Sequence, residues 1–297
     1  MMATITEQKR TEIKGMWLGL AGVAIFSLTL PFTRLAVAEL NPIFVAMGRA
    51  VVAAVLAGGL MWSQKARLPR QSELISLIIT SCGVVLGFPF LSTIAMQHVP
   101  AAHGAIVLGI LPLATALFAA IRFHERPSVG FWLMAVLGSA LVLAFALMQG
   151  AGSLQWADFA LFGAVVLAAM GYAEGGRLAQ SMGGLQVIAW ALILISPVTL
   201  SLSIWAYWHY GANASLPAWG GFVYVSVFSM FIGFLFWYKG LATGGIARVG
   251  QVQLLQPFMS LLGAAVIVGE SLSVINLGFA VAVIITVGLG RQMKIRR

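Results

Sequence analysis

Long apolar runs recur along the chain and are separated by short polar connections. Each run is long enough to cross ~30 Å of hydrocarbon as an α-helix that rises ~1.5 Å per residue. The runs are continuously apolar, whereas transmembrane β-strands alternate between apolar and polar positions. The pattern therefore predicts an all-α polytopic membrane protein with ten transmembrane helices. The predicted spans are residues 16–38, 42–62, 74–97, 101–121, 129–149, 156–178, 184–208, 217–239, 246–268 and 273–291.

Lysine and arginine lie almost entirely on one side of this predicted layout. They occur before the first span, after the last span, and at or after the ends of the even-numbered spans, whereas the connections after odd-numbered spans carry none. Such an excess marks the cytoplasmic side of a membrane protein. We therefore expect both termini to be cytoplasmic. The basic residues of these segments are Lys9, Arg10, Lys14, Lys65, Arg67, Arg70, Arg122, Arg126, Arg177, Lys239, Arg248, Arg291, Lys294, Arg296 and Arg297.

Composition narrows the class of protein further. Hydrophobic residues make up 61% of the chain and charged residues only 8%, whereas a soluble domain carries about 25% charged residues. The net charge of +9 is divided among the loop clusters, which indicates contact with a lipid bilayer and argues against a nucleic-acid partner. Cys82 is the only cysteine, and no zinc-ligand, catalytic or ATP-binding motif is present. We therefore expect no enzymatic activity, no cofactor, no metal and no ATPase subunit.

The two halves of the sequence repeat. A shift of 145 residues places PLATALFAAIRFHERPS on PFMSLLGAAVIVGESLS, with Pro112 over Pro257 and Glu125 over Glu270. The two copies are five spans apart, so they must cross the membrane in opposite directions. Inverted repeats give many secondary transporters their two alternating gates, and a duplicated structural bundle without transport is the alternative. The expected repeats are residues 1–149 and residues 150–297.

The repeat motifs resemble those of the drug/metabolite transporter superfamily, specifically its EamA-type ten-helix exporters. They are AMQHVPAAHGAIVLGILPLATAL followed by HERPS, and KGLATGGIARVGQVQLLQPFMSLLG followed by GESLS; NPIFVAMGRA is similar to the family's second helix. The resemblance implies a central cavity between helices 1–4 and 6–9, with helices 5 and 10 at the periphery. The sequence departs from the family pattern at His103, where a small residue is usual. We treat His103 as a gating or structural candidate.

Two arginines lie within predicted spans, where a charge costs roughly 2.5–3.5 kcal/mol on insertion scales and usually faces a cavity or a partner. Arg34 lies near the end of span 1, where it can reach the interface or contribute to gating. Arg49 in span 2 is a candidate for binding a substrate carboxylate or for a structural ion pair, and both alternatives remain open. Glu174 in span 6 either pairs with Arg177 one turn later or lines the cavity and meets a substrate amine. The aromatic candidates for the cavity wall, each of which could equally be packing, are Tyr172 and Trp190.

Span 9 carries several amide side chains, which need partners in hydrocarbon. They are Gln251, Gln253 and Gln256. Because Gln253 and Gln256 share a helix face, we expect them to form a polar patch of the cavity. The equivalent positions in span 4 are Leu108 and Leu111, so the lining should differ between the halves. Weaker cavity candidates are Tyr224 and Ser229, and further gating or structural candidates are Pro112 and Pro257.

The resemblance, not the residue pattern, supplies the expected substrate. It implies a secondary transporter that exports amino acids or similar small metabolites by alternating access, as the aromatic amino-acid exporters of the superfamily do. A channel or a lipid-handling protein without alternating access is the alternative. No acidic residue lies near a span midpoint, and His98 and His103 are expected to be solvated, so we expect weakly coupled or facilitative export. The expected location is the inner (plasma) membrane of a bacterium.

Overall fold

The computed structural model describes residues 2–122, 126–149, 154–244, 249, 252–292 and 295–296. Within these ranges the chain is helical, apart from its connections and one antiparallel pair of two-residue strands, β1 (Arg126–Pro127) and β2 (Ile295–Arg296). The helical spans are α1 (Met2–Ser27 and Thr29–Val37), α2 (Pro42–Ser63), α3 (Gln71–Thr80, Ser81–Gly87 and Phe88–Ala95), α4 (Ala101–Leu108 and Leu111–Arg122), α5 (Val129–Gln149), α6 (Trp156–Met182), α7 (Gly184–Tyr210), α8 (Leu216–Val223, Tyr224–Gly233 and Phe234–Gly244), α9 (Gln253–Leu255, Gln256–Gly263 and Ala264–Val268) and α10 (Val274–Gln292).

The helices α1 to α8 are each long and apolar enough to cross a membrane. The last two apolar helices, Gln253–Val268 and Val274–Leu289, are shorter within the described part of the chain. The predicted start of span 9 falls partly on residues 246–248, 250 and 251, which lie outside the described residues, as does Glu125. The prediction of an all-α polytopic membrane protein is confirmed.

The bundle has two ends, which differ in charge. We call the end with loop 64–70, the start of α5 and residue 183 the basic end. We call the end with the connections 38–41, 96–100, 211–215 and 269–273 the far end. The acidic residues Glu39, Asp158 and Glu270 all lie at the far end.

Local sequence signals explain where several helices begin and end. Asn41 precedes α2, and its side-chain oxygen accepts hydrogen bonds from the amides of Ile43 and Phe44. Pro42 follows at the first helical position, where its missing N–H group leaves no bond unmade. Gly183 separates α6 from α7 with φ of 84°, a backbone conformation that a residue with a Cβ rarely adopts. The chain therefore reverses at the basic end in a single residue.

Glycines bring the two halves into close contact. A Cβ atom on Gly83 of α3 would lie 2.5 Å from the carbonyl oxygen of Leu167 on α6, and one on Gly240 of α8 would lie 2.8 Å from the amide nitrogen of Gly19 on α1. Small residues allow such crossings because they let two helix backbones approach without side-chain overlap. Each crossing joins a helix of one half to a helix of the other.

Helices α3 and α8 share a second feature. Each contains a π-helical stretch, Ser81–Gly87 in α3 and Tyr224–Gly233 in α8. Wide turns of this kind locally re-aim side chains and often occur at functional sites. Helices α5 and α10 pack mainly on each other at the side of the bundle, so the remaining helices surround its centre.

Candidate functional site

A cavity lies at the centre of the bundle and consists of two adjoining compartments. The compartments share Leu30, Leu108 and Gln256. Their volumes are only about 10 and 20 Å³, room for about one water molecule each. A solute the size of an amino acid would therefore fit only after the surrounding helices move apart. The full lining is Phe26, Thr29, Leu30, Arg49, Phe88, Ala105, Leu108, Leu111, Tyr172, Ser229, Phe234, Gln253, Gln256, Pro257 and Ser260.

Arg49 supplies the charge of this cavity. Its residue is 1% exposed, and its Nε and Nη1 atoms have no hydrogen-bond partner among the described residues. A buried guanidinium without a partner is costly because it has lost its hydration. No carboxylate lines either compartment in the described part of the chain. The geometry therefore favours an anionic ligand over the structural ion pair as the partner of Arg49.

Two glutamines of α9 add uncharged polar groups. Gln256 lines both compartments and Gln253 lines one of them. The Oε1 atom of Gln256 and the Nε2 atom of Gln253 are buried without hydrogen-bond partners among the described residues. One free acceptor and one free donor thus lie in the same cavity as Arg49. Across the cavity, α4 contributes only the apolar side chains of Leu108 and Leu111 at the equivalent positions.

Other lining residues were not singled out from the sequence. Phe88 follows the π-helical stretch of α3, and Phe234 follows that of α8. The sequence does contain a signal for these two phenylalanines, because GFPF at 87–90 and GFLF at 233–236 form a repeat with a spacing of 146 residues. Thr29 is a further lining residue of this kind, and its equivalent in the second half, 143 residues later, is Tyr172. The hydroxyl groups of Thr29 and Ser229 are 2.7 Å apart and link α1 to α8 beside the cavity.

Three predicted cavity residues lie elsewhere. The hydroxyl of Tyr224 donates to the carbonyl of Ile25, and its ring stacks on Phe32 at a centroid distance of 4.1 Å. Trp190 donates from Nε1 to the carbonyl of Arg67 at 3.2 Å, which ties α7 to the loop at the basic end. Neither residue lines the compartments. Their aromatic rings pack between helices in this structure, and cavity roles for Tyr224 and Trp190 stay predictions.

Glu174 is the third of these residues. Its carboxylate accepts a hydrogen bond from Nε of Arg122 at 2.6 Å and from the hydroxyl of Ser76 at 2.8 Å. Glu174 is 1% exposed and lies outside both compartments. Its side chain joins α6 to α4 and α3 near the basic end, where both carboxylate oxygens are occupied.

At the far end, Arg34 and Glu270 form a clamp on the start of α4. Nε of Arg34 lies 3.2 Å from Oε1 of Glu270, and its Nη1 donates to the carbonyls of Met96 and Val99. The carboxylate of Glu270 accepts from the amides of Ala101 at 2.8 Å and Ala102 at 2.9 Å. These amides begin a helix and would otherwise lack partners. We call Arg34, Glu270 and these two amides the far-end clamp.

His103 departs from its predicted environment. It is 5% exposed, and its Nε2 lies 2.7 Å from Oδ1 of Asp158 at the start of α6. The expectation of a solvated His103 is therefore wrong, whereas His98 in the preceding turn is exposed. The ring of His103 was placed at a helix end correctly, but the partner that buries it comes from the other half. Sequence position alone carries no signal for this contact.

The two prolines occupy equivalent places on α4 and α9. Pro257 lines the cavity, and Pro112 is buried just after the break in α4 at residues 109–110. Each proline lacks the N–H group that would bond the carbonyl four residues earlier, on Leu108 and on Gln253. The carbonyl of Gln253 instead accepts from the amide of Gln256, so the regular α-helical pattern is interrupted beside the cavity.

Comparison with known proteins gives the family. The model of the EamA-like transporter family matches the chain twice, over residues 13–147 and 155–289. Over 274 residues the chain is 47% identical to the "Uncharacterized transporter YdeK" of Bacillus subtilis (strain 168), covering 92% of this chain and 96% of that protein. It is also 22% identical over 230 residues to the "Uncharacterized transporter YyaM" of the same organism, covering 72% of each chain.

A solved crystal structure shares the fold. The two structures superpose with a TM-score of 0.62 at 17% sequence identity, covering 93% of this chain and 95% of that one. Two copies of one family model on a helical bundle fit the inverted repeat expected from the Pro112/Pro257 register. The chain belongs to the EamA-like transporter family of the drug/metabolite transporter superfamily and is a multi-pass membrane transporter of that type.

Proposed function

We propose that this transporter exports amino acids or closely related small carboxylates by alternating access around the central cavity. The observation that carries the proposal is the unpaired guanidinium of Arg49, buried in that cavity. A substrate carboxylate would give this guanidinium charge-assisted hydrogen bonds, the strongest type available to it. The same ligand would neutralise the buried charge.

The rest of the lining fits an amino acid with an apolar side chain. The free Oε1 of Gln256 is an acceptor for the ammonium group of the substrate. Phe26, Phe88 and Phe234 supply apolar and aromatic wall, which suits an apolar side chain and can also face an ammonium group. Multiply charged phosphates would need more cations than this cavity supplies.

The small cavity supports alternating access over an open channel. Because the compartments hold about one water each, this conformation has no continuous path for a solute, and passage requires helix movement. The positive-inside rule supports a cytoplasmic location for the basic end, in the inner membrane of a bacterium. The direction of transport is taken from the resemblance to the family's exporters, and export would release the substrate at the far end.

Counterflow in proteoliposomes tests the proposal. The purified full-length protein is reconstituted into vesicles loaded with an excess of one unlabelled amino acid, and entry of the same labelled amino acid is followed. We expect transient accumulation for neutral apolar and aromatic amino acids. Their amides, which keep the side chain and the amine but lack the carboxylate, should not compete.

The alternatives give other results. A channel would equilibrate the label without the transient overshoot that exchange through alternating access produces. Counterflow of amides as fast as that of amino acids would contradict the role of Arg49. Absence of counterflow for every amino acid and small carboxylate would remove the proposed function.

A further inference from the structure

Outside the cavity, two buried ionisable side chains meet across the two halves. His103 on α4 and Asp158 on α6 are in contact at 2.7 Å, with side chains 5% and 1% exposed. Neither residue lines the cavity. They lie at the far end, beside the far-end clamp: the amides of Ala101 and Ala102, which bind Glu270, immediately precede His103.

The pair is buried, and an aromatic ring packs against it. The ring of Phe145 on α5 lies 5.2 Å from the ring of His103. Asp158 accepts a second hydrogen bond, from the amide of Gln155 at 2.8 Å, at a helix start where the backbone dipoles favour a negative charge. Helix α5 carries no titratable side chain, and α10 has its only one, Arg291, towards the basic end. In the described part of the chain, the other ionisable groups of this end are Arg34 and Glu270, which bind each other, Glu39, which binds Ser215, and the exposed His98, Tyr207, His209 and Tyr210.

We propose that His103 and Asp158 form a proton-binding site that exchanges a proton with the solution at the far end when α4 and α6 separate there. The inference rests on the opening of the far end that the proposed function requires. With one proton added to the neutral imidazole, the pair is an imidazolium beside an ionised carboxylate and is neutral overall. With no such proton or with two protons, the pair would carry a net charge in a buried position, which is costly.

Opening changes this constraint. Once water reaches the pair, hydration removes the penalty on a net charge there. One N–H bond of the imidazolium can then break, with its proton passing to water at the far end; closing takes one proton back. The closed state therefore holds one proton more than the open state. By linkage, rising pH favours opening, and the ratio of open to closed molecules changes by at most tenfold per pH unit for one proton.

A distance measurement tests the site without any substrate. In the full-length protein with Cys82→Ala, spin labels are attached through Gln97→Cys before α4 and Trp156→Cys at the start of α6, two exposed positions at the far end. The distribution of label distances is recorded between pH 5.5 and 8.5 in lipid nanodiscs. We expect the longer distance to gain population as pH rises across this range.

Matched variants separate the pair from other titrating groups. His103→Gln should abolish the pH dependence, and Asp158→Asn, which still caps Gln155, should abolish or displace it. His98→Gln and His209→Gln remove the two exposed histidines of the same end, and each should leave the wild-type curve unchanged. A curve for His103→Gln that matches wild type, or a wild-type distribution that does not respond to pH, would overturn the proposal. Absence of amino-acid counterflow together with a pH-dependent distance would refute the proposed function but not this site.

Discussion

The two halves of the protein contribute the same framework to the cavity but different chemistry. Equivalent positions carry similar residues where they shape the wall and dissimilar ones where they offer polar groups. Phe88 corresponds to Phe234, so both halves carry a phenylalanine there. Arg49, in contrast, corresponds to Leu192, which is 0% exposed and lies outside the lining. The pairs are Phe88 and Phe234, Thr29 and Tyr172, Leu111 and Gln256, and Arg49 and Leu192.

This difference follows from what each feature must do. Alternating access needs two gates that move alike, so the glycine crossings and the π-helical stretches occur in both halves. A substrate has no two-fold symmetry, so each of its polar groups needs a partner in one half only. The first half supplies the cation of the cavity, and the second half supplies its amides. The polar groups of the cavity are thus divided between the halves, as the expected difference in lining requires.

Replacing Arg49 should have the largest effect on substrate binding. With Arg49→Leu the site loses its charge, and we expect substrate binding to weaken by at least about 30-fold, since removing one partner of a buried charge pair costs about 2–5 kcal/mol. Arg49→Lys keeps the charge but cannot bind a carboxylate in bidentate fashion, and it should cause an intermediate loss of substrate affinity. The measurement is the concentration dependence of counterflow.

The matched control is the equivalent position on α7. Leu192→Met conserves side-chain volume, and we expect counterflow within about twofold of wild type. An equal loss in Leu192→Met and Arg49→Leu would mean that both act on packing, and the assignment of Arg49 to the substrate carboxylate would fail.

The Leu111 and Gln256 pair should give the next largest effect. Gln256→Leu makes the second half resemble the first and removes one hydrogen bond, so we expect affinity for amino acids to fall about five- to tenfold, or about 1–1.5 kcal/mol. Leu111→Gln makes the opposite change. It should bring no gain, because the substrate has no further polar group to bind. A gain in Leu111→Gln equal to the loss in Gln256→Leu would show that the two positions are interchangeable.

Sequence reasoning located the features that depend on position along the chain. The spans, the repeat, and polar residues isolated in apolar runs, such as Arg49 and Gln256, follow from hydropathy and register. It misplaced the features that depend on helix rotation. Spans that are apolar all round do not indicate which face meets a neighbour, so the interhelical contacts of Trp190, Glu174 and His103 could not be predicted.

The phenylalanine pair, Phe88 and Phe234, tests a position at which the two halves carry the same residue. Phe88→Leu and Phe234→Leu each remove part of an aromatic wall while keeping an apolar side chain. We expect both variants to weaken binding of aromatic amino acids by a similar factor of about 2 to 10, since aromatic contacts contribute about 0.5–1.5 kcal/mol beyond area burial. Competition by phenylalanine and by leucine measures this. A tenfold effect in one variant and none in the other would show that the wall is not shared between halves.

The smallest effect should come from a link between the halves on the exposed surface. Glu39, in the α1–α2 connection, accepts hydrogen bonds from the amide of Ser215 at 2.7 Å and from its hydroxyl at 2.5 Å. These bonds lower the pKa of Glu39 below its ordinary value of 4.5 in the folded protein. The link therefore stabilises the fold above about pH 4.5 and is lost as the pH falls through the lowered value. Between pH 7 and pH 4, the melting temperature of wild type should fall further than that of Glu39→Gln, by less than about 3 °C. An equal decrease in melting temperature in the two proteins would show that this link contributes nothing to stability. The contacts between the halves at the far end would then be those of the far-end clamp and of the His103–Asp158 pair.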